Sequence, residues 1–267
     1  MKKLAVAIIV AMFSATMLVP SQASNQKSLV IIDSYFDSKV YSSNVTCVTL
    51  QNQPCTDVVT VTNPSLSSEF NHGNAMAEVA KKQNPGMSII LLRSGAASRN
   101  SVAPVNAGNF IDALNWINAN KSRVGAVSIS RFFNGNKACS PASTNTATFG
   151  GVAKADATIR SLIASLKQDG IPVFVSTGNR MGTTIDYPAC ILDTVSVSTG
   201  SRNSSGTIVS VNALDANTDY VASSSVSVYT SRLLGLIPQT TSSATVAVAA
   251  QWLTTGSLND KVVSVTP

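Results

Sequence analysis

What most constrains this chain is a series of short apolar runs, rich in β-branched residues and separated by breakers and segments of helical period. Ser28 to Ile32 is such a run and ends on Asp33; Met87 to Leu92, Gly125 to Ile129, Ile171 to Ser176 and Thr194 to Ser198 follow. Runs of this length read as strands buried on both faces, as in a parallel sheet. Between them lie helical faces. Ala75, Met76, Val79 and Ala80 make one, starting at His72-Gly73 and stopped by Asn84-Pro85-Gly86. Phe110, Leu114, Trp116 and Ile117 mark another across 107–120. Ile159, Leu162, Ile163 and Leu166 mark a third across 152–168, closed by Asp169-Gly170. A last helix opens near Ser242 and carries Ala244, Val248, Ala249, Trp252 and Leu253. Tyr35 to Phe70 keeps no sustained period and reads as loops around at most a short strand. The alternation predicts an α/β fold in three layers, a mostly parallel central sheet with helices on both faces. No Pro- or Gly-rich linker and no internal repeat divides the chain, so one domain is expected.

The amino terminus sets the compartment. Lys2 and Lys3 precede an apolar stretch from Leu4 to Val19, and Ser21 and Ala23 supply small residues at −3 and −1 of a cleavage site. This is the pattern of a secretory signal peptide over 1–23, which leaves 24–267 as the exported domain, secreted or periplasmic and free of the membrane after cleavage. Charged residues make up 12% of the chain and the formal charge is +6, which includes Lys2 and Lys3, with the remaining basic residues scattered and forming no run. That excludes a nucleic-acid patch, and a monomer is expected. Four cysteines in an exported chain favour two disulfides over metal binding, since none is spaced as CxxC. Three connectivities exist. Cys47 and Cys55 flank Gln53-Pro54 and form the natural local pair, which leaves Cys139 with Cys190.

In a parallel sheet, reactive groups gather beyond the carboxyl ends of the strands. Asp33 falls there, as does Asn179 after Ile171 to Ser176, while His72 and Ser242 each open a helix. Asp, His and Ser then follow one another in the order that subtilisins use. His72 is the only histidine, so any His-dependent triad must use it. The local contexts add weight. Ile31-Ile32-Asp33-Ser34 resembles the strand-end aspartate motif of the subtilase family, and His72-Gly73-Asn74-Ala75-Met76-Ala77 resembles its His-Gly helix start. Val173 to Asn179, with Tyr187-Pro188-Ala189 behind it, is similar to the family's oxyanion-asparagine segment. Thr241-Ser242-Ser243-Ala244 resembles its Thr-Ser-x-Ala serine motif. The resemblance runs from about residue 28 to 256 and implies a subtilisin-like serine endopeptidase with Asp33, His72 and Ser242 as triad. It also implies Asn179 as oxyanion donor and a peptide or protein substrate. Val127-Ser128-Ile129-Ser130-Arg131 resembles the strand that pairs with substrate, which makes Ser128, Ser130 and Arg131 candidate substrate-binding residues.

The chain also departs from the family pattern. Thr240 and Val246 stand where the serine motif has Gly and Pro, Tyr35 where a Gly follows the aspartate, and Asn74 and Ala75 where the histidine motif has Thr and His. The first strand follows the cleavage site within a few residues, leaving no room for the family's usual propeptide. A subtilase-like protein with little or no turnover that binds peptides or envelope partners is therefore the alternative. An α/β-hydrolase is disfavoured, because no G-x-S-x-G elbow is present and His72 precedes the serine. No cofactor is expected. Calcium has no D-x-[DN]-x-[DN]-G loop to hold it, although the family assembles calcium sites from dispersed oxygens.

Overall fold

The computed structural model describes residues 27–33, 35–36, 44–55, 67–95, 97–98, 101–102, 107–130, 153–179, 183, 185–210, 212, 218–224 and 241–265. Residues 1–23, expected to be a signal peptide, and Arg131 and Cys139 lie outside these residues. Eleven strands are present among them: β1 Ser28–Asp33, β2 Val45–Thr49, β3 Ile89–Arg93, β4 Ala97–Ser98, β5 Ser101–Val102, β6 Val124–Ile129, β7 Val173–Ser176, β8 Val195–Arg202, β9 Ile208–Ser210, β10 Tyr220–Ser224 and β11 Val262–Val265. The helices are α1 Ser67–Gln83, α2 Ala107–Ala119, α3 Ala153–Gln168 and α4 Thr241–Thr255, with a short 3-10 turn at Lys121–Arg123.

Eight strands form one sheet in the order β11-β10-β8-β7-β6-β1-β3-β2, and every pairing along that path is parallel. β9 adds antiparallel to β8, and β4 with β5 forms a separate antiparallel pair. The expected three-layer α/β architecture is the one observed.

Alternation along β1 shows how the layers are filled. Val30 and Ile32 join a core with Phe110, Leu114 and Ile117 of α2 and Ile159, Ile163 and Leu166 of α3. Leu29 and Ile31 point the other way, to a core with Met76, Ala77 and Ala80 of α1 and Val246, Val248 and Ala249 of α4. β1 is buried along its whole length, which is why its sequence shows a continuous apolar run instead of a polar alternation. Asp33 continues the Leu29–Ile31 row and so faces the layer of α1 and α4.

β3 pairs with one side of β1 and β6 with the other, and the helices that precede them, α1 and α2, lie on opposite faces. The carboxyl end of β1 is thus a point where the connections diverge, the place in open α/β sheets where a crevice forms.

One expectation needs correction. α1 begins at Ser67, so His72 lies in its second turn and does not open the helix. The residues before it, Ser67-Ser68-Glu69, are polar and leave no apolar period to reveal the first turn. The stretch read as loops around at most a short strand does hold one, β2 at the sheet edge, where only Val45 and Cys47 of its five residues are buried and the apolar signal is correspondingly weak.

Candidate active site

Asp33 is completely buried at the end of β1. Its backbone carbonyl accepts two bonds from Ser94, from the backbone N–H at 2.8 Å and from Oγ at 3.0 Å, which tie it to the end of β3. A buried carboxylate needs a partner. His72 supplies one: its Nδ1 lies 2.6 Å from Asp33 Oδ2. With the carboxylate accepting, Nδ1 carries the proton and Nε2 is left as the basic nitrogen. The His72 side chain is 24% exposed.

Gly73 makes this approach feasible. A Cβ on Gly73 would run into the Tyr35 carbonyl oxygen and come within 2.7 Å of the Phe36 ring. Tyr35 and Phe36 directly follow the β1 end and are buried, so only a glycine lets α1 lie close enough to set His72 on Asp33.

Ser242 is the second residue of α4, and its first turn carries no acidic side chain to offset the positive end of the helix dipole. Thr241, fully buried beside it, accepts a bond from the Gly178 N–H at 3.2 Å through Oγ1. The same hydroxyl and the Thr241 backbone N–H both donate to Asn179 Oδ1, at 3.0 and 2.9 Å. Two donors on Oδ1 fix the amide orientation and direct its NH₂ group away from the helix. Asn179 is exposed. Ser242 Oγ donates to the Ser130 carbonyl at 2.9 Å, and Ser130 Oγ donates back to the Ser242 carbonyl at 3.3 Å. The Ser242 hydroxyl is thus committed to the end of β6 and not to His72.

The structure therefore brings Asp33 against His72, and Ser242 against Asn179's neighbour Thr241 and against Ser130. Ser128 falls elsewhere. It is wholly buried inside β6, which pairs with β1 on one side and β7 on the other, and its hydroxyl finds no partner among the described residues. Residue i of a strand and residue i+2 share a face, so the motif placed Ser128 with Ser130 but could not show how far each lies from the edge. Arg131 lies outside the described residues. Cys47 and Cys55 are bonded, as their spacing suggested. Cys190 is disulfide-bonded as well, while the expected partner Cys139 lies outside the described residues.

Two supporting residues had no role in the sequence reading. Thr241 stood within the quoted serine motif, yet nothing in the pattern distinguished it from a helix cap. Ser94 carried no signal at all, because its contact with Asp33 spans 61 positions. Among the described residues no three His, Cys, Asp or Glu side chains gather to hold a metal ion, and no helix is long and apolar enough to cross a membrane.

No protein-family model and no curated protein matches the sequence. Solved structures do. The nisin leader peptidase NisP of Lactococcus lactis superposes with a TM-score of 0.54 at 12% identity, over 86% of this chain and 77% of its own. The epidermin leader peptide processing serine protease EpiP of Staphylococcus aureus gives 0.51 at 14%, over 86% of this chain and 65% of its own. A mutant protease domain of PatA gives 0.51 at 11%, over 85% and 77%. The fold is subtilisin-like. This chain spans just under two thirds of the length of EpiP, so the likeness concerns the sheet, its helices and their order.

Proposed function

We propose that the chain is an exported serine endopeptidase in which Asp33, His72 and Ser242 act as the triad and Asn179 donates to the oxyanion. The observation that carries this reading is the 2.6 Å contact between His72 Nδ1 and a fully buried Asp33 carboxylate, at the carboxyl end of the sheet where α4 presents Ser242. A buried carboxylate on one imidazole nitrogen and an accessible second nitrogen is the arrangement of a general base. NisP and EpiP, which share the fold, process leader peptides, and this supports peptide as the substrate class. The signal-peptide pattern of residues 1–23 supports export.

The chemistry would run as acyl transfer. The Ser242 hydroxyl turns from the Ser130 carbonyl to His72 Nε2, which takes its proton as Oγ attacks the scissile carbonyl carbon. The oxyanion forms opposite the Asn179 amide and the Ser242 backbone N–H, both held at the positive end of α4. His72 passes the proton to the leaving amine as the C–N bond breaks, and water then cleaves the Ser242 ester by the same route in reverse.

A specific observation also favours the second reading, a peptide-binding protein without turnover: the Ser242 hydroxyl is bonded to Ser130 and not to His72. A fluorophosphonate probe separates the two. Covalent labelling of the oxidised, folded protein that disappears in Ser242→Ala supports the hydrolase. Labelling that persists in that variant sinks the serine assignment, and absence of labelling in the native chain supports the binding protein.

A further inference from the structure

We infer that Arg93 makes this cleft selective for peptides with an acidic side chain close to the bond presented to Ser242. The inference rests on the reading of the cleft as a peptide site, but not on turnover.

Arg93 is the last residue of β3 and stands in register with Asp33 on β1. Partners in parallel strands carry their side chains on the same face, about 4.8 Å apart. The rows agree: Ile89 and Leu91 of β3 and Leu29 and Ile31 of β1 all enter the core beneath α1 and α4. Arg93 therefore leaves the sheet on the side where His72 meets Asp33. Its guanidinium ends over the buried Tyr35 ring, 5.9 Å from the centroid, which fixes the planar group in place. Arg93 is partly exposed, unlike the rest of its strand.

Chemistry turns this placement into selectivity. A guanidinium has five donors in a rigid fork, so it can keep its contacts inside the protein and still receive a carboxylate from outside. Its contact with the Tyr35 ring lowers the conformational entropy lost when that carboxylate arrives. A peptide laid across the carboxyl ends of β1 and β6 to reach Ser242 passes one strand spacing from β3. An acidic side chain there meets Arg93, whereas a lysine meets a like charge. The formal charge of +6 falls to +4 without Lys2 and Lys3 of the signal segment, and this surplus favours the same class of ligand at longer range.

The test uses Ser242→Ala protein, so that binding is read without hydrolysis, with labelled hexapeptides carrying Glu, Gln or Lys at each position in turn. At low salt, at least one Glu position should bind about tenfold tighter than its Lys counterpart, a difference that shrinks as salt is raised. Adding Arg93→Gln should reduce that ratio to within about twofold. Adding Lys121→Gln, which removes a charge paired with Asp169 at the surface, should leave it unchanged and so discount a net-charge effect. No Glu preference at any position, or a preference that survives Arg93→Gln, overturns the inference. If Arg93→Gln does not fold, Arg93→Lys decides: a Glu preference several-fold weaker than with Arg93 supports the fork, and an unaltered one overturns it. Failure of fluorophosphonate labelling would strike the hydrolase reading and leave this result standing.

Discussion

At the scale of single residues, Thr241 joins the Gly178-Asn179 segment, the proposed oxyanion side, to the helix that carries Ser242. Its hydroxyl receives the Gly178 N–H and donates to Asn179 Oδ1. Thr241→Val keeps the shape but leaves a buried N–H unsatisfied, which costs about 1–3 kcal/mol. It also removes one of the two donors that orient Asn179. The expected outcome is a lower melting temperature together with a fall of about tenfold in labelling rate or kcat, with KM little changed, because an oxyanion donor acts in the transition state. Thr241→Ser, which keeps the hydroxyl, should recover most of the loss; equal damage in both variants would mean that Thr241 only packs. The reciprocal bonds between Ser130 and Ser242 make a second prediction. Ser130→Ala removes the bond to the Ser242 carbonyl and loosens the carbonyl that holds the Ser242 hydroxyl proton, so with Ser242 as the proposed nucleophile the labelling rate should rise severalfold at unchanged affinity for the probe. A rate that falls would show that this pair aligns Ser242 for attack. None of these contacts was legible in the sequence. Thr, Ser and Asn are common here, and which of them is buried at a strand end depends on partners 62 or more positions away.

At the scale of elements, the decisive contact is that of α1 with the segment that leaves β1. Gly73→Ala sets a methyl group against the Tyr35 carbonyl and the Phe36 ring, and a backbone oxygen cannot swing aside as a side chain can. The helix must retreat, at a cost of about 1–3 kcal/mol, and His72 moves with it. Thermal unfolding should fall by several degrees, and labelling should drop more than stability does. A labelling rate that stays native would show that the Asp33–His72 contact tolerates the shift. The Tyr187 segment gives an element-scale pH prediction. Tyr187 is buried against α3, and its hydroxyl pKa is raised above the usual tyrosine value, first by burial and then by the neighbouring Asp156 carboxylate, with Arg160 opposing. The folded state thus keeps its proton where the unfolded chain loses it. The resulting stability is fully present below about pH 10, the ordinary tyrosine value, and is lost as pH climbs above it. Melting temperatures taken from pH 8 upward should therefore decline less steeply in Tyr187→Phe than in the native chain; parallel curves would refute the assignment. Elements with long apolar periods, α2, α3 and the central strands, were legible to within a residue or two. The start of α1 and the edge strand β2 were not, since their residues are polar or half-buried and their place is set by neighbours distant in sequence.

At the scale of the whole molecule, stability and chemistry are held at different places in the sheet, and this can be tested. The Cys47–Cys55 bond closes a loop on β2, the edge strand, two strands away from Asp33. That loop is docked on α2 through the bond from Trp116 Nε1 to Asn52 Oδ1, at 3.1 Å. The candidate site instead hangs on β1, β6, β7, α1 and α4, and residues Thr241 to Ala250 of α4 are all buried against the middle of the sheet. α4 is fixed at its far end too, where Leu253 fills the space left by Gly125 of β6. Parallel strands transmit little to one another along the sheet when an edge loosens, because each is packed above and below by its own helices. Replacing both Cys47 and Cys55 by Ser returns the loop-closure entropy to the unfolded chain, about 2.5 kcal/mol for a separation of 8 residues. The melting temperature should fall by about 5–10 °C. The fluorophosphonate labelling rate of the protein that remains folded should stay within about twofold of native. A drop of tenfold or more at a temperature well below the melt would show instead that the edge strand and the Asp33–His72 contact form one cooperative unit.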